Sequence, residues 1–174
     1  MLVAYVSVLF SLGSLIDKPI QQNDVCSDAV AITTESSTIG TTNAATIDSV
    51  GTGGFCGTSI TAPGVWYKIV GDGGIFVIAS TSDPDTDYDT KLSVFTGDCN
   101  GLTCVTGDNN GGDAFRTSKV AFTTNLGENY FILVHGSGSA IGNFVLILST
   151  LPIPAVSTRI ESSLSEGAGV GCIR

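Results

Sequence analysis

The sequence predicts an all-β domain, either a sandwich or a barrel, and three observations support this fold class. Short apolar runs broken by Gly, Asp, Asn and Thr fill residues 23–150, a spacing typical of many short strands. The 174 residues include 22 glycines, which indicates many tight turns, and they suffice for one domain with an ordinary core. Outside the first 16 residues no apolar stripe recurs at helical spacing, so we expect very little helix.

The predicted strands are rich in β-branched and aromatic residues and are bounded by turn residues. Between the first two strands, "GDGG" (71–74) predicts a tight turn. Leu92 and Val94 fall on one face of the third strand, and Val120 and Phe122 on one face of the fourth. The predicted strands are residues 65–70, 75–80, 91–97, 118–124, 129–136 and 142–150.

The N-terminus predicts export. Residues 2–16 are almost wholly apolar, too short for a comfortable bilayer span but typical of a secretory signal peptide. We predict a signal peptide over residues 1–13, cleaved after Gly13, with residue 16 as an alternative end, and a linker over 14–22. No Lys or Arg lies within the apolar stretch, and a buried first strand is the alternative.

The C-terminal residues differ from the predicted domain, which covers residues 23–150. In residues 151–174, Pro152 and Pro154 oppose strand pairing, and Ser, Gly and Glu then dominate. The sequence therefore predicts a flexible tail, with an extra edge strand around residues 155–160 as the alternative.

The net charge excludes one class of partner. The chain carries 16 acidic and 7 basic residues, a formal charge of −9, and its Lys and Arg do not cluster. A protein that binds a duplex needs clustered cations to displace phosphate counterions. We expect no nucleic-acid partner, and no membrane span in the mature chain.

The cysteines predict disulfides rather than a metal site. No CxxC motif and no zinc spacing with histidine occurs among the five, which favours disulfides in an oxidising compartment. Two local pairings are suggested: Cys99 with Cys104, because "CNGLTC" contains a glycine that permits a tight reversal, and Cys26 with Cys56. Cys172 is left over, either as a free thiol or as an intermolecular link.

Seven motifs follow one another along the predicted domain: "NDVCSDAV" (23–30), "FCG" (55–57), "GVWYKIVG" (64–71), "YDTKLSVFTGDCNGLTCVTGDNN" (88–110), "SKVAF" (118–122), "NYFILVHG" (129–136) and "GNFVLIL" (142–148). In this order they resemble the bacterial pre-peptidase C-terminal (PPC-like) domain, in its disulfide-bearing secreted form. The resemblance implies a jelly-roll-like sandwich of two antiparallel sheets and a non-catalytic module. It supports the pairings Cys26–Cys56 and Cys99–Cys104. Some members of the family bind calcium and some bind extracellular polymers.

Two loops concentrate the acidic residues: "SDPDTDYDTK" (82–91) and "GDNNGGD" (107–113). The first loop does not match an EF-hand, which needs Gly at position 6 and Glu at position 12. If the two loops meet at one end of the sandwich, hard oxygen ligands converge there, as Ca²⁺ requires. The candidate calcium ligands are Asp87, Asp89, Asp108 and Asn109.

A simpler interpretation of these loops stays open. An acidic, solvated loop end needs no ion, and its carboxylates accept backbone N–H bonds. Under this interpretation Asp89 and Thr90 fix the start of the following strand through side-chain-to-backbone bonds.

Aromatic and apolar side chains supply the candidate binding surface. Trp66 and Tyr67 face opposite sides of an extended strand, and Trp66 is the one we predict in the core. Both alternating sets in "FVLIL" (144–148) are apolar, which predicts an outward patch, unless the tail covers it. The candidate surface residues are Tyr67, Tyr88, Phe115, Val145 and Ile147.

Catalysis finds little support in the sequence. His135, the only histidine, lies between a strand end and "GSGS", where we expect it to be solvated, and no nucleophile elbow, P-loop or HExxH motif occurs. We therefore predict a secreted, non-catalytic module for binding or adhesion to an extracellular polymer, surface glycan or protein, with calcium as the one cofactor to consider. The alternatives are a structural subunit that self-assembles through sheet edges and the tail and, third, a small secreted hydrolase.

Overall fold

The computed structural model describes residues 21–48 and 54–152. Within those ranges two main sheets pack as a sandwich beside a small two-stranded sheet, which confirms the predicted fold class, and the helical content is one 3₁₀ turn, Cys26–Asp28. The strands are β1 (Val30–Ala31), β2 (Ser36–Thr41), β3 (Phe55–Cys56), β4 (Thr58–Ser59), β5 (Gly64–Val70), β6 (Ile75–Ser80), β7 (Thr90–Thr96), β8 (Thr103–Asn109), β9 (Lys119–Thr123), β10 (Asn129–Gly136) and β11 (Asn143–Pro152).

One sheet has five strands in the order β1-β5-β10-β7-β8, and the other has four in the order β2-β11-β6-β9. Neighbouring strands are antiparallel except for β1 and β5, which are parallel. From β5 onward the chain crosses between the sheets at every connection except the β7–β8 hairpin, as a jelly-roll-like sandwich requires. Both strands predicted on either side of segment 71–74 are present, and the segment joins strands of different sheets rather than neighbours in one sheet.

The main core fills the space between the sheets. Alternate residues of the central strands β5, β10 and β11 point into it, as the two-residue period of a strand dictates. Its largest side chains are Tyr67, Ile69, Tyr88, Leu92, Phe122, Tyr130, Ile132, Phe144, Leu146 and Leu148.

The five-stranded sheet is also buried on its other face. Segments 21–29 and 54–62, which we call the outer layer, pack there over Trp66, Phe95 and Leu133. Because β10 is covered on both faces, its sequence is a continuous apolar run rather than an alternating one.

The two disulfides do not follow the predicted pairing. Cys26 is bonded to Cys99 and Cys56 to Cys104, with Cα–Cα distances of 5.6 and 5.4 Å. Cys99 lies in the turn after β7, beside the 3₁₀ turn that carries Cys26, whereas Cys104 lies within β8, against the outer layer. Proximity in the sequence suggested the wrong partners, because each bond joins the outer layer to the sheet rather than closing a local loop.

Several predictions concern residues outside the described ranges. The signal peptide at 1–13, most of the linker, the tail beyond Pro152 and Cys172 all lie there. In the part of the chain that the structure describes, no helix is long and apolar enough to cross a membrane.

Candidate functional site

The two acidic loops lie side by side at one end of the sandwich. Loop 81–89 joins β6 to β7, loop 110–118 joins β8 to β9, and we call the pair the acidic end. Backbone hydrogen bonds connect them, from Thr81 N to Ser118 O (2.9 Å) and from Thr90 N to Arg116 O (3.0 Å). The meeting of the loops on which the calcium hypothesis depends is therefore present.

The carboxylates of this end accept hydrogen bonds within the protein. Asp87 accepts them from the backbone N–H and side-chain amide of Asn143, each at 2.8 Å. Asp108 Oδ2 accepts from the backbone N–H groups of Gly111 (2.7 Å) and Lys119 (3.0 Å). For these two aspartates the interpretation that acidic side chains organise the loops is confirmed.

The four candidate calcium ligands do not form a cluster. Among the described residues, no group of three or more His, Cys, Asp or Glu side chains lies close enough to hold a metal ion. Asn109 is exposed, and Asp89 Oδ1 is buried without a hydrogen-bond partner. The Thr90 hydroxyl bonds to Thr81 Oγ1 (2.6 Å) and donates to Arg116 O (3.4 Å), so the predicted side-chain-to-backbone bond is present for Thr90. Asp89 bonds to Ser137 N through its backbone carbonyl instead. Calcium binding stays a prediction.

Two of the predicted surface aromatics are buried. Trp66 is 1% exposed, as predicted, because the outer layer covers its face of β5. Tyr67 is only 3% exposed, because it points the other way, into the core between the two sheets. Tyr88 belongs to the core between the sheets. The prediction that Tyr67 and Tyr88 offer a binding surface is wrong.

The apolar patch predicted on β11 is smaller than expected. Val145 and Ile147 alternate with core residues, but Val145 is buried and Ile147 is half-buried. Near Val145, β11 has β2 on one side and loop 81–89 on the other, where Thr86 Oγ1 accepts a hydrogen bond from Val145 N (3.2 Å). The prediction is therefore wrong for Val145.

Phe115 is the predicted surface residue that the structure does expose, with 86% of its side chain accessible. It lies in loop 110–118, and the guanidinium carbon of Arg116 is 4.8 Å from the centre of its ring. Arg116 was not singled out in the sequence, since nothing in "DAFRTS" indicates a stacked pair.

A serine–histidine pair lies beneath the outer layer. Ser93 Oγ is 3.2 Å from His135 Nε2, and both residues are fully buried, so the prediction of a solvated histidine is wrong. His135 Nδ1 has no hydrogen-bond partner. Burial, together with the nearby Lys91 ammonium, lowers the pKa of His135 to about 3. A substrate cannot reach this pair while the outer layer is in place, because both side chains are fully buried. The Ser93 hydroxyl also donates a hydrogen bond to Cys56 O in the outer layer.

A cleft of about 380 Å³ borders the Cys26–Cys99 disulfide. At its base Trp66 Nε1 donates a hydrogen bond to Asp48 Oδ1 (3.0 Å). Burial, with a smaller contribution from the nearby Asp24, raises the pKa of Asp48 to about 6, against the opposing effect of the Trp66 bond. No local pattern indicates this arrangement, because Asp48 and Trp66 lie in different segments.

No family model matches the chain, and no curated protein matches it. Solved structures do match. One is the pre-peptidase C-terminal domain of a collagenase from Bacillus anthracis, with 12% identity and a TM-score of 0.44 over 70% of this chain and 94% of that one. Another is PliG from Aeromonas hydrophila, a periplasmic inhibitor of g-type lysozyme, with 12% identity and a TM-score of 0.43 over 71% of this chain and 97% of that one. At this identity neither likeness assigns a function to the chain.

Proposed function

We propose that this chain is a secreted, non-catalytic β-sandwich module that binds a partner outside the cell. The observation that carries the proposal is the pair of disulfides, Cys26–Cys99 and Cys56–Cys104, since such bonds form and persist in oxidising compartments. Both bonds fasten the outer layer to the five-stranded sheet, so the fold depends on that compartment.

The arrangement of the polar side chains supports binding over catalysis. The one pair that resembles a nucleophile and its base among the described residues, Ser93 and His135, is fully buried. Burial lowers the pKa of His135, so its imidazole is neutral, but it has no access to solvent or substrate. Two of the most exposed apolar side chains, Phe115 and Leu126, lie on loops held by hydrogen bonds, a setting typical of contact surfaces. Extracellular polymers, surface glycans and proteins are the partner classes that follow.

The test begins with export. The full chain, and a variant lacking residues 2–13, are expressed in a secreting host, and intact masses are measured with and without reductant. We expect the full chain in the medium, beginning at Ser14, with both disulfides formed, and the variant retained in the cell. A full chain that stays inside with reduced thiols contradicts the proposal. The secreted chain is then assayed against arrays of glycans, polymers and surface proteins.

Self-assembly is a second candidate, favoured by one observation. Strand β2 lies at the edge of the four-stranded sheet, contains neither Lys nor Pro, and exposes 82% of the Ile39 side chain. Such edges pair readily with other strands. Sedimentation of the wild type and of Cys172→Ser over a range of concentrations separates the candidates, since a monomer at every concentration excludes assembly.

A further inference from the structure

Phe115 is the most exposed of the large apolar side chains in the described part of the chain. Burying a side chain of this size contributes about 1.5–3 kcal/mol. The free protein gains almost none of that, because only 14% of the side chain is covered, as its 86% exposure implies. Burial of this ring against a partner would therefore contribute favourably to the free energy of binding.

The loop that carries Phe115 is fixed in place by hydrogen bonds. Within it, Gly112 N donates to Thr117 O (2.9 Å), and the Thr117 hydroxyl donates to Ala114 O (2.7 Å). At its base, Asp113 N donates to Ser82 Oγ (2.8 Å) in the neighbouring loop. A contact residue on such a loop loses little conformational entropy on binding.

Arg116 stacks on the ring and closes the loop. Its backbone has a φ of +65°, a conformation that non-glycine residues rarely adopt, and its carbonyl accepts the hydrogen bond from Thr90 N that closes the loop. The guanidinium covers one face of the Phe115 ring at 4.8 Å. Arg116 makes no ion pair with another described residue.

The two loops of the acidic end carry more carboxylates than cations. Asp83 and Asp85 lie in the adjacent loop 81–89, and Asp113 is two residues before Phe115, whereas Arg116 is the cation at the ring itself. Lys119 forms an ion pair with Asp113 at 2.8 Å, but Asp83 and Asp85 have no such partner within the described ranges. Together with the formal charge of −9, these carboxylates favour a partner with a basic surface.

We propose that Phe115, held by Arg116, is the central contact through which this module binds a protein that has an apolar pocket with a basic rim. The inference rests on the proposed function and names the contact and the partner class. A protruding ring fits an apolar pocket, and the excess of carboxylates over cations in the two loops favours a protein surface that carries Lys and Arg over a neutral or acidic glycan.

The experiment places a photo-reactive phenylalanine analogue at position 115 in one sample and at position 126 in a matched control. Leu126 is 83% exposed and lies in the loop after β9, at the opposite end of that strand from loop 110–118. Both proteins are irradiated with the extracellular and surface proteins of the cells that produce the chain, and adducts are identified by mass spectrometry. Any protein found is purified, and its affinities for the wild type, Phe115→Ala and Leu126→Ala are measured.

We expect an adduct from position 115 but not from 126, and a partner with a basic surface. Phe115→Ala should weaken binding at least tenfold, a loss typical of a central contact, while Leu126→Ala changes it less than twofold. Asp85→Asn and added salt should slow association without a comparable change in dissociation. Both alanine variants should have the same melting temperature as the wild type, since each substitution removes an exposed side chain.

Three results would overturn the inference. Equal affinity of Phe115→Ala and Leu126→Ala for a protein that the wild type binds leaves the proposed function standing but removes Phe115 as the contact. A glycan or polymer whose binding depends on Phe115 overturns the partner class. A wild type that binds no protein, glycan or polymer removes the proposed function as well.

Discussion

At the scale of single residues, two buried or partly buried titratable groups favour their neutral forms. His135 is neutral because burial and Lys91 oppose its protonation, and Asp48 holds its proton to a higher pH because burial disfavours its carboxylate. The first shift stabilises the fold at neutral pH relative to acid, and the second does the reverse. Neither could be predicted from the sequence, because both depend on which segments cover these side chains.

His135 should make the protein sensitive to acid. Its pKa is about 3 in the folded protein and 6.5 ordinarily, so the stability it contributes is complete above pH 6.5 and is lost as the pH falls toward 3. In His135→Gln we expect the free energy of unfolding to change less steeply with pH across this window. Near its middle the slope should be smaller than that of the wild type by about 1.4 kcal/mol per pH unit. Urea unfolding of both proteins at a series of pH values measures the difference. Parallel curves would contradict the prediction.

Asp48 should act in the opposite direction. Its pKa rises from 3.8 to about 6 on folding, so the stability it contributes is complete below pH 3.8 and is lost as the pH rises through 6. Asp48→Asn keeps an oxygen acceptor for the Trp66 N–H and removes the charge. We expect the variant to be more stable than the wild type above pH 6, by about 1 kcal/mol once solvent screening is allowed for, and equal to it below pH 3.8. The matched control is Asp85→Asn, an exposed carboxylate in a loop.

At the scale of elements, the outer layer depends on a close approach of two backbones. A Cβ atom on Gly107 in β8 would lie 1.9 Å from Cys56 O in β3. A Cβ on Gly57, whose φ is +67°, would lie 2.3 Å from Gly107 N. Both positions therefore require glycine, because backbone atoms cannot move aside as a flexible side chain can.

Gly107→Ala should loosen the outer layer. We expect a loss of about 2–3 kcal/mol in the free energy of unfolding, as for overpacked positions, and faster reduction of the Cys56–Cys104 bond by a mild reductant. Gly101→Ala is the matched control, because no atom lies within 4 Å of its added Cβ. Thermal melting and the kinetics of thiol release measure both effects. Equal behaviour of the two variants would show that β3 does not need this approach.

The sequence predicted the central strands well, but of the four edge strands of the two main sheets it predicted only β9. Residues 75–80 and 129–136 coincide with β6 and β10, because apolar β-rich composition reports burial directly. β2 and β8 were missed because their sequences, "SSTIGT" and "TCVTGDN", are mostly polar. Both strands lie at the edge of a sheet, where more of the strand is exposed to solvent and fewer apolar residues are needed. Among the site residues, exposure was predicted correctly for Phe115. The burial of Tyr67 was missed, because no local pattern shows which face of β5 packs against the other sheet.

At the scale of the whole molecule, the disulfides are interlaced along the chain. They join residues separated by 73 and 48 positions, rather than the short loops that the spacing suggested. In the chain-entropy account each such closure removes about 4 kcal/mol of freedom from the unfolded chain. Both bonds therefore stabilise the long-range arrangement of the sandwich.

The pairing is testable by counting thiols in a Cys172→Ser background. Cys26→Ala combined with Cys99→Ala should leave no free thiol after unfolding, since Cys56–Cys104 remains, and should cost about 4 kcal/mol in stability. Cys99→Ala combined with Cys104→Ala should leave two free thiols, on Cys26 and Cys56. No free thiols in the second variant would instead support the local pairing.

The sequence by itself determined that the chain is all-β, where its central strands lie, and that its cysteines form disulfides rather than a metal site. These properties follow from composition and a two-residue period, which each segment carries alone. Only the tertiary structure decided which cysteines pair, that the five-stranded sheet is covered on both faces, and that Phe115 is exposed while Tyr67 is buried. The reason is physical: pairing and coverage depend on distances between segments far apart in the chain, and the spacing of residues along one segment contains no record of those distances.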